Sequence, residues 1–174
     1  IVKTNAIVVG LVPEGGHTDA RACFSELCRA NHACTPSAHY YFDIPSFTAR
    51  LHATRDLEKG EEITLSYTSV TDVRAKRQAQ LAAQFNFDCA CPTCSLPPEL
   101  SAESDRRRIA IDAFATRLES DEPRGSIEAI VPQVEEALEW ITLEGIAAER
   151  GRLLGLAVTM AMSPPVVMAS GSSV

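Results

Sequence analysis

Three cysteines stand within six residues, at Cys89, Cys91 and Cys94, in the string Cys-Ala-Cys-Pro-Thr-Cys. Thiols crowded this closely do not read as ordinary core packing. The two residues between Cys91 and Cys94 let both sulfurs turn onto one tetrahedral ion, and Cys89 reaches the same ion through a tight loop. A structural zinc site closes with four ligands. One ligand must therefore come from elsewhere, because neither Cys nor His follows Cys94. Cys23, Cys28, Cys34 or a histidine can supply it. A redox pair at Cys91 and Cys94 is the competing chemistry, and it leaves Cys89 without a role. A ligand from far upstream would pin this loop onto the front of the chain, and metal binding would then contribute folding free energy.

Bulk properties narrow the partners. The chain has 174 residues, 45% of them apolar, which suffices for a packed core and excludes global disorder. A formal charge of −7 argues against direct nucleic-acid binding. It is compatible with a basic peptide partner, although such charge usually serves solubility. No basic start followed by an apolar run marks a signal peptide. The most apolar late stretch, Leu153 to Met162, reaches only about half a membrane span before Ser163-Pro164-Pro165, so no membrane partner is expected. Six cysteines in a chain able to build its own core read as reduced, intracellular thiols, in the nucleus and/or cytoplasm. The first residue is Ile1 and the sequence opens on a strand pattern, which reads as a fragment.

The elements that must position the cysteines change character along the chain. Val2 to Val12 is rich in β-branched residues and reads as one or two strands, followed by a turn at Pro13-Glu14-Gly15-Gly16. Ala20 to Cys28 reads as a short helical turn. His39 to Phe42 and Ser46 to Ala53 read as strands. Ile63, Leu65 and Tyr67 alternate with polar residues, the pattern of a half-buried strand. Thr71 then reads as a helix cap. Val73, Arg77, Leu81 and Phe85 recur at four-residue steps, with Arg74, Lys76 and Arg77 as polar flanks. Pro97-Pro98 marks a boundary. Beyond it Ile111, Phe114 and Leu118 share a helical face, Asp121 to Gly125 breaks the pattern, a second helix begins near Pro132, and a third runs from about Ile146 to Met162. The fold class expected is α+β, with units at 1–69 (β-rich), 70–97 (helix and cysteine loop), 98–168 (helical) and a loose tail at 169–174.

Two more strings carry a resemblance. One is Arg29-Ala30-Asn31-His32-Ala33-Cys34-Thr35-Pro36; the other is Leu57-Glu58-Lys59-Gly60-Glu61-Glu62-Ile63-Thr64-Leu65-Ser66-Tyr67. In order with the cysteine cluster, residues 1 to 97 resemble the C-terminal part of a SET domain with its post-SET zinc loop. The closest group is that of the SET-and-MYND proteins, which methylate protein lysines with S-adenosylmethionine. The resemblance implies a β-rich SET-type fold with a pseudoknot, a structural zinc, and a protein or peptide substrate bearing lysine. It implies Cys34 as the fourth ligand beside Cys89, Cys91 and Cys94, which would leave Cys23 and Cys28 as small buried hydrophobes. It implies cofactor contacts from Asn5, Asn31, His32 (mostly through its backbone) and Phe87, a lysine channel beside Phe85, and Tyr67 as the catalytic tyrosine. Methyl transfer needs such a phenol, because the attacking amine must be neutral and held in line.

The sequence also departs from the family's pattern. Ala33 stands where serine is common, Ser37 where asparagine usually follows the proline, and Phe85 where many relatives carry a second tyrosine. The N-terminal strands with their Gly-rich cofactor motif, and any MYND finger, are not in this stretch. This part by itself is then expected to be inactive if it cannot bind the cofactor alone. The alternative is a non-catalytic, SET-related, zinc-containing interaction module. A zinc protein without SET ancestry is the third reading. Glu61 and Glu62 read as turn and surface residues rather than acid–base catalysts.

Overall fold

The computed structural model describes residues 6–11, 18–120 and 127–162. Asn5, the turn at 13–16, the break at 121–125 and the tail at 169–174 lie outside the described residues.

The front of the chain is built from short strands in three two-stranded sheets. β1 (Ile7–Leu11) pairs antiparallel with β2 (Thr18–Ala22), Ile7 opposite Ala22. A 3-10 turn at Leu27–Arg29 leads into β3 (Asn31–His32). β4 (Ala38–Asp43) and β5 (Thr48–Ala53) form a hairpin with Ala38 opposite Ala53. Its turn places Phe47 at φ 54° and is held by Ser46 and Arg50 on the Asp43 carboxylate. β6 (Thr64–Leu65) returns to run parallel to β3, with Asn31 opposite Thr64 and His32 opposite Leu65. Parallel partners cannot be joined by a tight turn, and here the hairpin fills the connection. Leu27, Ala38 and Leu65 form the small core beneath, joined by Phe24, Tyr40 and Tyr67.

Helices follow. α1 (Arg74–Phe85) is not capped by Thr71, whose hydroxyl donates to Asp112 at 3.0 Å instead. The free N–H of Arg74 is taken by the Asp105 carboxylate at 2.7 Å, so the cap comes from the next helix. Asn86 ends α1 in the left-handed region at φ 59°, a conformation asparagine tolerates. α2 (Pro98–Glu119) starts on a proline whose fixed φ suits a first turn, and it buries Ile111, Phe114 and Leu118 as the spacing predicts. α3 (Ile127–Glu144) begins before Pro132 and contains it, forgoing one backbone bond near the helix start. α4 (Ala148–Met162) completes the bundle. Ile111, Phe114, Leu118, Ile130, Ala137, Ile141, Ile146, Leu153 and Met160 pack together with Val70 as the larger core. No described helix is long and apolar enough to cross a membrane. The molecule is thus α+β: short strands first, a cysteine loop, then helices.

Candidate metal centre and active site

The four cysteines named by the resemblance meet in space. Cys34 leaves β3, while Cys89, Cys91 and Cys94 come from the loop between α1 and α2, and all four sulfurs lie within 4.8 Å of one another. The Sγ atoms of Cys34 and Cys94 are 3.4 Å apart, and none of the cysteines is in a disulfide. A tetrahedron with zinc–sulfur bonds of about 2.3 Å has sulfur–sulfur edges of about 3.8 Å, so this set needs only small shifts to close on one ion. The donors are four thiols with no oxygen among them, which is the chemistry of a closed tetrahedral site. The cluster can chelate a metal.

The loop is held for this task. Gln78 of α1 forms a double bond with the backbone of Cys89: its Nε2 donates to the carbonyl at 2.7 Å and its Oε1 accepts the N–H at 2.9 Å. Leu81, one turn on, is fully buried against Cys34, Cys89 and Cys94. The thiols also split one another's acidities. A side-chain hydrogen bond from Cys34 holds the Cys91 thiol down to about 3, the matching bond to Cys91 pushes Cys34 up, and burial raises Cys89 to about 11. Of these three, Cys91 alone is held as thiolate, the form a metal takes.

His32 joins this cluster to the strand end. Its Nδ1 accepts the backbone N–H of Tyr67 at 3.0 Å. In a neutral ring the proton then sits on Nε2, which lies 3.3 Å from the Cys34 sulfur. Burial lowers the His32 pKa and keeps the ring neutral. The imidazole is committed on both edges, so any further contact from residue 32 falls to its backbone.

Tyr67 follows β6. Its hydroxyl donates to the Ala30 carbonyl at 2.6 Å, and its ring lies 4.7 Å from Phe85 and 5.4 Å from His32. Burial, followed by the charges of Cys28 and Glu62, raises the phenol pKa, so it remains a donor at neutral pH. Phe87 stands 6.1 Å from the His32 ring with over a third of its surface exposed, leaving an aromatic face free. Asn31 donates from Nδ2 to Glu62 at 2.6 Å. A cleft of about 390 Å³ opens between Tyr40, Tyr41 and Phe42 of β4, Leu65, Ser66 and residues 68–70, and Ala148 and Glu149 of α4.

Sequence reasoning missed several of these contacts. Glu62 is the partner of Asn31, while Glu61 does hold a turn, accepting from Arg55 and from the Glu58 N–H. Ser37 is buried and stitches the segment after Cys34 to β6: its hydroxyl donates to the Glu62 carbonyl and accepts the Thr64 N–H. Cys23 is exposed and Cys28 half-buried rather than buried, because Phe24 and Leu27 supply that segment's core contacts. Arg77 and Arg108 are fully buried charges. A periodic apolar pattern gives no signal for a buried cation.

Short strands, parallel β3–β6 pairing and a cysteine set closing on the strand that bears Asn31 and His32 define an α+β protein with a four-cysteine cluster able to chelate a metal. Residues 11–68 match the family described as the SET domain. The chain carries a SET-domain region. It is 30% identical over 115 residues to "Histone-lysine N-methyltransferase set5" of Schizosaccharomyces pombe, covering 64% of this chain and 36% of that protein. It is 37% identical over 68 residues to "SET domain and MYND-type zinc finger protein 6" of the same organism, covering 39% and 14%. It is 38% identical over 64 residues to "Histone-lysine N-methyltransferase SMYD3" of Homo sapiens, covering 37% and 14%. The chain thus spans little more than a third of the first of these relatives and a seventh of the others.

Proposed function

We propose that this chain is part of an S-adenosylmethionine-dependent protein-lysine methyltransferase, with residues 34, 89, 91 and 94 holding a structural zinc. The observation that carries the reading is the placement of Tyr67. Its hydroxyl is fixed on Ala30, one residue before the Asn31-His32 pair, inside the stretch that matches the SET domain.

The cofactor would supply a methyl group on a sulfonium. Asn31, the backbone of His32, the exposed face of Phe87 and Asn5 would hold it. Tyr67 orients the lysine amine through its oxygen, with Ala30 fixing the direction of its proton. Phe85 and the Tyr67 ring form an apolar wall that excludes water and favours the neutral amine. A neutral amine held by Tyr67 would have its lone pair free to receive that methyl group, and the proton of the resulting ammonium would leave to solvent. The helical region would wall the substrate side. The β3–β6 pairing would be the crossing point of the family's pseudoknot. Expected compartments are the nucleus and/or cytoplasm.

Phe85 motivates a second reading. Its ring packs on Tyr67 where many relatives carry a tyrosine, and a non-catalytic zinc-containing interaction module would tolerate that loss. Labelled S-adenosylmethionine incubated with the full-length protein and a mixed lysate separates the two. The methyltransferase reading expects label in protein lysine, reduced at least ~100-fold in Tyr67→Phe, the scale of a positioned proton-handling group. Neither cofactor binding nor transfer would leave the second reading.

A further inference from the structure

Arg77 is the most unusual charge in the molecule. It lies in α1 and is 1% exposed. Water does not solvate a guanidinium at that depth, and a buried cation needs a countercharge. The other deeply buried arginine, Arg108, has one: its Nε donates to the Glu144 carboxylate at 3.0 Å. No ion pair among the described residues pairs Arg77 with a carboxylate. Its Nη1 donates to the Asp72 carbonyl, and its buried Nε has no hydrogen-bond partner.

What surrounds it is sulfur. Arg77 sits one turn before Leu81, which packs on Cys34, Cys89 and Cys94, and beside Gln78, which clamps Cys89. Its guanidinium lies within reach of the Cys34 and Cys94 sulfurs. Four thiolates around one divalent ion sum to a doubly negative centre, and that centre is almost wholly buried here. The molecule thus holds a buried cation without a carboxylate partner beside four cysteines that would be doubly negative around a divalent ion, while Arg108, already paired with Glu144, reaches the Cys34 carbonyl at 3.5 Å.

We propose that Arg77 is the countercharge of the four-thiolate zinc centre, acting on the metal through Cys34 and Cys94. This rests on the zinc reading given above. Arg77 touches no reacting atom and is a positioning residue. It lowers the cost of assembling four thiolates in a dry site, and it withdraws electron density from two of them. A guanidinium close to thiolate also makes that sulfur a poorer target for protons and alkylating agents.

Zinc release from the full-length protein to a chromogenic chelator tests this, using Arg77→Met, Arg77→Gln and Arg77→Lys, with the exposed Arg106→Met as control. Arg77→Met and Arg77→Gln are expected to release zinc ~10-fold or more faster than wild type, the scale of lost outer-shell partners. Arg77→Lys should retain most of the wild-type resistance. In cobalt-substituted protein, the thiolate-to-metal absorption should shift in Arg77→Gln with the number of bound thiolates unchanged, which a packing role would not produce. Wild-type release rates in both neutral variants would overturn the proposal. So would equal loss in Lys and Gln, since size rather than charge would then matter. If Arg77→Met does not fold, the Lys and Gln pair carries the comparison. Wild-type protein without zinc would instead overturn the four-cysteine reading, which is a separate failure.

Discussion

The His32 side chain is tied to the Tyr67 backbone: the Tyr67 N–H donates to His32 Nδ1 at 3.0 Å. The opposite edge of the same ring faces the Cys34 sulfur at 3.3 Å. A shift of the metal cluster is thus passed to the strand end that sets the Tyr67 hydroxyl. On the proposed function, this is how a zinc that does no chemistry would bear on methyl transfer: it would hold one wall of the site.

The helical region is fastened to the same loops. Glu144, at the end of α3, accepts from Arg108 at 3.0 Å, Arg107 at 2.6 Å and Ser104 at 2.5 Å, and Arg108 continues to the Val70 carbonyl. Replacing Glu144 with Gln removes the carboxylate paired, among the described residues, with a guanidinium that has no exposed surface. Chemical denaturation should show a loss of about 3–5 kcal/mol, as for breaking one partner of a buried pair. Double replacement Glu144→Leu with Arg108→Met should recover much of it, because no charge is then left alone.

Gly145 should tolerate no side chain. It adopts φ +65°, and a Cβ there would stand 2.7 Å from Thr35 Cγ2. Thr35 in turn donates to the Glu144 carbonyl and shares a hydrogen bond with Thr93, which precedes Cys94. Gly145→Ala should therefore destabilise by more than ~1 kcal/mol from the backbone and the clash together. Adding Thr35→Ser removes the methyl but keeps the hydroxyl, and should restore part of the loss in thermal unfolding.

Burial raises the Tyr40 pKa. The phenol is neutral in the fold and ionises more readily in the unfolded chain, so the unfolded state loses its proton first. This contribution to stability is complete below about pH 10 and is lost as pH rises through the folded value. Tyr40→Phe should flatten the alkaline fall in stability, and ultraviolet titration should show the missing phenol as one that ionises above the ordinary range.

These contacts mark where sequence is informative. The spacing of Cys89, Cys91 and Cys94 is local, so a shared ion is legible from the string itself. Cys34 lies 60 residues from Cys94; residue types left it equal to Cys23 and Cys28, and only the resemblance singled it out. The buried face of α2 follows from its spacing. The alternation through Tyr67 suggests a longer strand than the two-residue β6, because only Thr64 and Leu65 meet β3. Arg77 reads as a solvated flank of its helix. Its burial depends on sulfurs brought from both sides by tertiary packing, which no local pattern encodes.

On the proposed zinc reading, one ion joins residue 34 to residues 89–94 and so supports the placement of His32, Tyr67 and Phe87. Native mass spectrometry with elemental analysis tests it most directly on the full-length protein and its Cys34→Ser, Cys91→Ser and Cys23→Ser variants. Any other zinc site would appear as a constant background. The account predicts that Cys34→Ser and Cys91→Ser each lose one zinc relative to wild type, with a lower melting temperature, and that Cys23→Ser loses none. Full zinc retention in Cys34→Ser would contradict it.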